Sequence, residues 1–206
     1  MGILKIIESF MISIWEVVKA TSIVEWLAVT SSIIYVILAA KRLIICWFFA
    51  LIGSILFVYL CYIGKLYIES ILQFFYVIMA IIGWINWKNS KTKKIFIQKW
   101  TLNNHLINII LSGIFSIIIG YIFENYTNQE NPYIDSFTTC YSLSATYMVT
   151  KKILGNWIYW IIIDLISIYL YATRGYHLTA LQYLIFTFLA LFGFIAWNNQ
   201  YQKQKQ

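Results

Sequence analysis

Long apolar runs separated by short polar or charged segments dominate the sequence. Seven of these runs predict membrane-spanning helices, at about residues 24–40, 43–63, 67–87, 105–123, 134–150, 154–173 and 177–197. Each run is close to the roughly 20 residues that a helix needs to cross the hydrocarbon core of a bilayer. The pattern therefore predicts an all-α polytopic membrane protein with seven transmembrane helices.

The ends of the chain have a different pattern. Residues 1–22 are interrupted by charged side chains, so they lack the continuous apolar core of a signal peptide. Their polar positions fall on one side of a helix, which predicts an amphipathic helix lying in the membrane interface. The seven-helix domain then covers residues 23–199, and residues 200–206 form a tail.

Basic residues favour one orientation of the seven spans, because Lys and Arg are retained on the cytoplasmic side of a membrane. With the N-terminus outside, eleven of the 15 basic residues fall in segments assigned to the cytoplasm. These are Lys41, Arg42, Lys88, Lys91, Lys93, Lys94, Lys99, Lys151, Lys152, Lys203 and Lys205. The sequence predicts an N-outside, C-inside topology with a cytoplasmic tail.

An internal repeat is visible when the sequence is compared with itself at the offset that places Trp47 on Trp157, which we call the repeat offset. At this offset Glu25 also meets Asp135, Gly83 meets Gly193, Trp87 meets Trp197, and Lys41–Arg42 meets Lys151–Lys152. Repeat one then covers 24–87, repeat two covers 134–197, and the span 105–123 is a connector helix. Three spans plus one connector cross the membrane an even number of times, so both repeats begin on the same side. The repeats are therefore parallel, as in one class of transporters. A duplicated scaffold without transport is the alternative.

Composition excludes several other classes of protein. With 61% hydrophobic and 11% charged residues, the chain is too apolar for a soluble domain. The net charge of +7 is not clustered with aromatic residues on one face, so no nucleic-acid partner is expected. Phosphate-binding and zinc-protease motifs are missing, so we expect no enzyme activity, no metal and no cofactor.

One carboxylate lies deep in the sixth predicted span. Asp164 shares a helical stripe with Trp157 and Trp160, at spacings i, i+3 and i+7. A charged group near the bilayer centre costs about 3 kcal/mol on insertion scales, so it must face the bundle interior or water. All basic residues fall in loops, tails or span ends, so a cationic substrate is one hypothesis, with the indoles supplying cation–π contacts. In the alternative, neighbouring hydroxyls bind the carboxylate and it only orders the helices.

Other polar and aromatic residues have less specific patterns. Gln73 and Gln182 either recognise a substrate amide or hydroxyl, or hydrogen-bond to a neighbouring helix. Trp87 and Trp197 lie near predicted cytoplasmic ends, where an interfacial tryptophan belt is expected.

Two segments carry a resemblance to a known family. They are CWFFALIGSILFVYLCYIGKLYIESILQFFYVIMAIIGWINW and KKILGNWIYWIIIDLISIYLYATRGYHLTALQYLIFTFLALFGFIAW, with DSFTTCYSLSATYMVTKK before the second. The GW..W, NW..W...D and LTALQY marks within them resemble the PnuC family of bacterial vitamin transporters. The resemblance implies a SWEET-like seven-helix fold, a homotrimer, and a multi-pass location in the bacterial plasma (inner) membrane. It also implies facilitated diffusion of nicotinamide riboside, which a cytoplasmic kinase traps by phosphorylation, feeding NAD synthesis.

The resemblance also identifies matching positions for a substrate site. They are Asn156, Trp157, Trp160 and Asp164 in the sixth span and Gln73, Tyr76 and Trp84 in the third. Gln182 and Trp47, the counterpart of Trp157, complete the predicted substrate-binding set.

The substrate itself stays open at this point. The family also contains thiamine and riboflavin transporters, and thiamine is a cation too, so thiamine or another B vitamin is an alternative substrate. A non-transporting membrane sensor or scaffold is the second alternative.

Overall fold

The computed structural model describes residues 21–64, 67–89, 97–127 and 131–206. The predicted interfacial helix falls almost entirely on residues 1–20 and lies outside the described residues. In the described part the chain forms α1 (Ile23–Ala40), α2 (Cys46–Ile63), α3 (Tyr67–Asn89), α4 (Leu102–Tyr126), α5 (Pro132–Thr150), α6 (Asn156–Thr173) and α7 (His177–Lys203). These helices coincide with the seven predicted spans, apart from a few residues at the ends.

Length and composition allow five of the described helices to cross a membrane: α1, α2, α4, α6 and α7. In α3 the apolar segment is shorter, Leu72–Lys88, and α5 is rich in Ser and Thr. Large aliphatic side chains stay exposed on the outside of the bundle, as on α4, where Ile107, Ile110 and Ile117 are more than half exposed. Such surfaces are stable in lipid and not in water. The prediction of an all-α polytopic membrane protein is confirmed.

The two halves of the fold have matching local geometry. The repeat offset that places Trp47 on Trp157 also places both ends of α2 on the ends of α6. Arg42 after α1 and Lys152 after α5 both have positive φ, 59° and 54°. Each is followed by a backbone bond back to the helix, from Leu43 N–H to Leu38 O and from Ile153 N–H to Met148 O. These are Schellman closures in which a basic residue stands where glycine is usual, so both turns redirect the chain in the same way.

Each half also packs a tryptophan against a helical glycine. Trp47 of α2 lies on Gly83 of α3, and Trp157 of α6 lies on Gly193 of α7. A Cβ atom at Gly193 would come within 2.6 Å of the Trp157 ring. The missing side chain therefore lets the two helices approach closely around the indole.

Four indoles form a continuous row between the halves, which we call the tryptophan cluster: Trp47, Trp87, Trp157 and Trp197. The rings of Trp47 and Trp87 meet edge to face at 5.5 Å, those of Trp87 and Trp197 are 6.2 Å apart, and those of Trp157 and Trp197 meet edge to face at 5.4 Å. All four side chains are at most 3% exposed. The expected interfacial belt is therefore wrong for Trp87 and Trp197, because both indoles face inward.

Two indole N–H groups of this cluster join the halves reciprocally. Trp87 Nε1 donates to the carbonyl of Val149 at 3.2 Å, and Trp197 Nε1 donates to that of Ala39 at 3.1 Å. Ala39 and Val149 are equivalent positions at the repeat offset, so the two bonds have the same form. The Lys152 ammonium lies 4.9 Å from the Trp87 ring centre, and burial lowers the pKa of this lysine. These contacts close the end of the bundle that carries Lys41, Arg42, Lys151 and Lys152.

An ion pair ties α5 to α6 at the opposite end of the bundle. The Arg174 guanidinium donates to both carboxylate oxygens of Asp135, at 3.2 Å and 2.8 Å. The connector α4 packs on α5, where Tyr141 donates to the Ile109 carbonyl and Ser144 donates to Asn108 Oδ1. The matched contacts of the two halves support the predicted duplication, while the membrane orientation stays a prediction from the basic residues.

Glycine substitutions test the packing of indole on helix. We expect Gly193→Ala to destabilise the detergent-solubilised protein by about 1 to 3 kcal/mol, because the added methyl group forces the Trp157 ring to shift. Gly113→Ala on α4 is the matched control, since its nearest neighbour would be 3.5 Å away. Thermal unfolding followed by tryptophan fluorescence measures both variants. Equal melting temperatures for the two would contradict the close packing at Gly193.

Candidate ligand-binding site in the helix bundle

Asp164 occupies the middle of α6, eight residues after its first residue and nine before its last. The side chain is 2% exposed. No hydrogen bond or ion pair from another described residue reaches its carboxylate. The described Lys and Arg residues lie in loops, tails or final helical turns: Lys41, Arg42, Lys88, Lys99, Lys151, Lys152, Arg174, Lys203 and Lys205. Within the described part, the carboxylate has no cationic partner of its own.

Four tyrosines from four helices form a connected set that reaches this carboxylate through Tyr183, and we call them the tyrosine group: Tyr35, Tyr76, Tyr171 and Tyr183. The rings of Tyr171 on α6 and Tyr183 on α7 stack at 5.3 Å with 10° between their planes. Tyr183 lies within electrostatic range of Asp164 and of Tyr76. The group therefore brings hydroxyls and aromatic faces close to the acid.

The tyrosine group extends across the bundle to the first half of the chain. The Tyr76 side chain of α3 lies close to Ser142 of α5, and Tyr35 of α1 lies close enough to Tyr76 to interact with it electrostatically. Unlike the tryptophan cluster, all four tyrosines are only partly buried. Helices from both halves thus contribute to one polar region in the bundle.

This arrangement suits a cation that also carries polar groups. A carboxylate compensates positive charge, and the faces of Tyr and Trp attract cations within about 6 Å of the ring centre. Tyrosine and serine hydroxyls both donate and accept hydrogen bonds. Within the described residues there is no group of three or more His, Cys, Asp or Glu side chains that could hold a metal ion.

The predicted tryptophans all belong to, or pack against, the hydrophobic core that holds the tryptophan cluster. Trp47 and Trp157 belong to the tryptophan cluster, and each has a buried indole N–H without a described hydrogen-bond partner. Trp84 is partly buried and packs against that cluster. Trp160 lies one turn before Asp164 and contacts both hydrophobic cores of the bundle. Trp160 is therefore the predicted indole nearest to the acid along α6.

The predicted amides have different surroundings. Asn156 is fully buried and donates to the Ile153 carbonyl at 2.6 Å, while its Oδ1 has no described partner. This contact fixes the start of α6. Gln73 and Gln182 are partly buried, and neither makes a hydrogen bond to another described residue.

Sequence reasoning missed part of the tyrosine group. Tyr171 falls on the stripe of Asp164, but Tyr35 and Tyr183 had no such signal. At the repeat offset, Tyr183 corresponds to Gln73, and Asp164 itself corresponds to Ser54. Aligning the two repeats would therefore have pointed to Tyr183, because its counterpart Gln73 was a predicted site residue. The same alignment shows that the acid is present in the second half only.

Comparison with known proteins agrees with this architecture. The family described as nicotinamide mononucleotide transporter matches residues 22–199. The nicotinamide riboside transporter PnuC of Escherichia coli (strain K12) is 26% identical over 203 residues, covering 85% of each chain. The riboflavin/roseoflavin transporter RibM of Streptomyces davaonensis is 22% identical over 124 residues, or 58% of each chain.

A solved structure shares the fold. The crystal structure of the vitamin B3 transporter PnuC matches with a TM-score of 0.74 at 19% identity, covering 93% of this chain and 87% of the other. These relatives are multi-pass transporters and not enzymes. Because the family match extends over nearly all of its length, this chain belongs to the nicotinamide mononucleotide transporter family.

Proposed function

We propose that this protein takes up nicotinamide riboside across the bacterial plasma membrane by facilitated diffusion. A cytoplasmic kinase then traps the riboside by phosphorylation, and the product feeds NAD synthesis. The observation that carries the proposal is the Asp164 carboxylate, which lies in the middle of α6 beside the tyrosine group and has no described cationic partner. The name of the Escherichia coli relative supports the same substrate.

The chemistry of the riboside matches the groups at the site. Its pyridinium ring is cationic, so Asp164 compensates its charge while Trp160 and the stacked Tyr171–Tyr183 pair offer aromatic faces. Its carboxamide and ribose hydroxyls need hydrogen-bond partners, which Gln73, Gln182 and Tyr76 supply. We place Trp157, Trp47, Trp84 and Asn156 at the end of the pathway, where they contact substrate when the tryptophan cluster opens.

The same charges disfavour the phosphorylated compound. A phosphate group beside Asp164 would place like charges together without the Arg or Lys that proteins use for phosphate. We therefore propose the riboside as substrate and not the mononucleotide that gives the family its description.

Transport requires the site to open to each side in turn, and the tryptophan cluster has the geometry of a gate. Its two indole–carbonyl bonds join α3 to α5 and α7 to α1, so both must break when the halves separate. The basic residues at this end place the gate on the cytoplasmic side. Without a cluster of buried carboxylates among the described residues, uncoupled movement is the simplest mechanism, and we expect homotrimers in which each protomer has its own pathway.

Charge also ranks the alternative substrates. Riboflavin has no fixed positive charge, so it leaves Asp164 uncompensated, although RibM matches part of the chain. Thiamine is a cation, so its charge does not distinguish it from the riboside. The two differ only in the other contacts that they would make at the site. A non-transporting scaffold would bind neither vitamin, and uptake into liposomes separates it from both.

Removing the charge of Asp164 tests the binding mechanism. We expect Asp164→Asn to weaken nicotinamide riboside binding by about 1 to 2 kcal/mol, because the amide keeps hydrogen bonding but loses the charge. Isothermal titration calorimetry measures the affinity. Asp135→Asn, which breaks the ion pair with Arg174, is the control and leaves the affinity unchanged. If Asp164→Asn instead unfolds the protein, the carboxylate has a structural role.

Ligand selectivity follows from the same charges. In calorimetry of the purified protein, we expect nicotinamide riboside to bind more tightly than nicotinamide mononucleotide and riboflavin. Titration with thiamine under the same conditions separates the two cationic vitamins. Tighter binding of the mononucleotide would refute the assignment of the site to an unphosphorylated cation.

Loss of one indole–carbonyl bond tests the gate. Trp197→Phe keeps an aromatic ring but removes the N–H that donates to Ala39, so the cytoplasmic end opens more often. Cys46 is fully buried in the same hydrophobic core, so its reactivity with a thiol reagent reports opening of this end. Cys61, which is only partly buried, is replaced by Ser so that it does not react. We expect faster maleimide labelling of Cys46 in the variant, whereas Cys140 on α5 is the internal control. Unchanged Cys46 labelling would contradict the gating role.

A further inference from the structure

A groove on the outside of the bundle lies between α1 and α7, at the end that carries the tryptophan cluster. Its volume is about 590 Å³. It is lined by Ile37, Ala40, Lys41, Arg42, Leu189, Phe192, Ile195 and Ala196. The groove is distinct from the site around Asp164, since no residue of the tyrosine group lines it.

The groove combines an apolar wall with a basic end. Phe192 and Ile195 are 66% and 55% exposed, and both belong to a helix long and apolar enough to cross the membrane. Lys41 and Arg42 follow the last residue of α1 and are also exposed. Apolar surface next to two cations at a helix end matches a molecule with an acyl chain and an anionic head.

The equivalent basic residues of the other half, Lys151 and Lys152, contact aromatic rings. Lys151 lies over the Tyr147 ring at 5.9 Å, and Lys152 lies over the Trp87 ring at 4.9 Å. Among the described residues, no ion pair and no aromatic ring engages the side chains of Lys41 and Arg42. Two halves with the same turn geometry thus differ in whether their cations have partners.

We propose that this groove binds an anionic phospholipid of the inner leaflet, with an acyl chain along Phe192 and Ile195 and the phosphate between Lys41 and Arg42. Basic pockets between transmembrane helices on the cytoplasmic side are a recognised setting for anionic headgroups. The bilayer supplies this ligand at high local concentration, so the groove fills without a soluble partner.

The lipid would act on the contact that holds the halves together. Ala40 and Ala196, in the groove wall, directly adjoin Ala39 and Trp197 in sequence, and the latter two form the indole–carbonyl bond on the inner side. A lipid that fills the groove contacts α1 and α7 together. It therefore stabilises the closed arrangement of these two helices, and its effect goes beyond substrate binding.

Native mass spectrometry of the detergent-solubilised full chain tests the site. Phosphatidylglycerol is the probe, and phosphatidylcholine is the zwitterionic comparison. Each basic side chain near an anionic lipid changes affinity by roughly fivefold, so we expect the Lys41→Gln/Arg42→Gln variant to bind phosphatidylglycerol about 30-fold more weakly. Phosphatidylcholine binding stays the same in both proteins.

Matched controls separate the groove from general charge and folding effects. Lys151→Gln removes a cation at the same turn position in the other half and leaves phosphatidylglycerol binding unchanged. Ala196→Phe fills the groove and reduces binding, whereas Ala172→Phe, an equal change at an exposed site on α6, does not. We also expect phosphatidylglycerol to raise the melting temperature of the unchanged protein and not that of Ala196→Phe.

Three results would overturn the proposal. Equal loss of lipid in the Lys151→Gln and Lys41→Gln/Arg42→Gln variants would show only a charge effect spread over the surface. Equal binding of the two lipids would remove the role of the basic pair. A change of oligomeric state in Ala196→Phe, with lipid binding intact, would assign the groove to contact with a second copy of the chain.

Discussion

The exchange of two hydrogen bonds between indole N–H groups and backbone carbonyls is the constraint on which the rest of the fold depends. In lipid there is no water to satisfy a buried indole N–H, so such a donor is costly unless it finds a partner in the protein. The N–H groups of Trp87 and Trp197 find theirs in the carbonyls of Val149 and Ala39 in the opposite half, which also accept from the backbone N–H groups of Lys152 and Arg42. The two bonds join α3 to α5 and α7 to α1, so together they hold the ends of four helices. The polar region lies beyond these ends, nearer the middle of the bundle.

The tryptophan cluster and the tyrosine group divide the bundle interior by chemistry. At the basic end, four indoles are almost fully buried and two of them, Trp47 and Trp157, lie on glycines, which gives dense packing of the kind that cores require. Nearer the centre of the bundle, tyrosines and Asp164 bring hydroxyls and charge together, and the tyrosines stay partly accessible. A carrier needs both properties, since one region must seal while the other must accept and release a ligand.

Much of the fold could be predicted because its strongest signals are local in sequence. Apolar runs fixed the seven helices, and a lone carboxylate among apolar residues predicted a buried Asp164. The belt predicted for Trp87 and Trp197 failed because an indole near a helix end has the same sequence signal whether it faces lipid or a neighbouring helix. Tyr35 and Tyr183 were not predicted for a related reason, since only the packing of α1 and α7 against the other helices brings them inward.

The absence of a described cationic partner for Asp164 has a kinetic consequence for the proposed carrier. When substrate is bound, the charges cancel and the two halves can rearrange around a neutral centre. When the site is empty, moving an unpaired carboxylate through a region of low dielectric is costly unless the acid first takes up a proton. In the proposed carrier we therefore expect the empty site to return more slowly than the loaded one. Exchange of vitamin molecules across the membrane would then be faster than net entry, because net entry needs the empty site to return to the outer face.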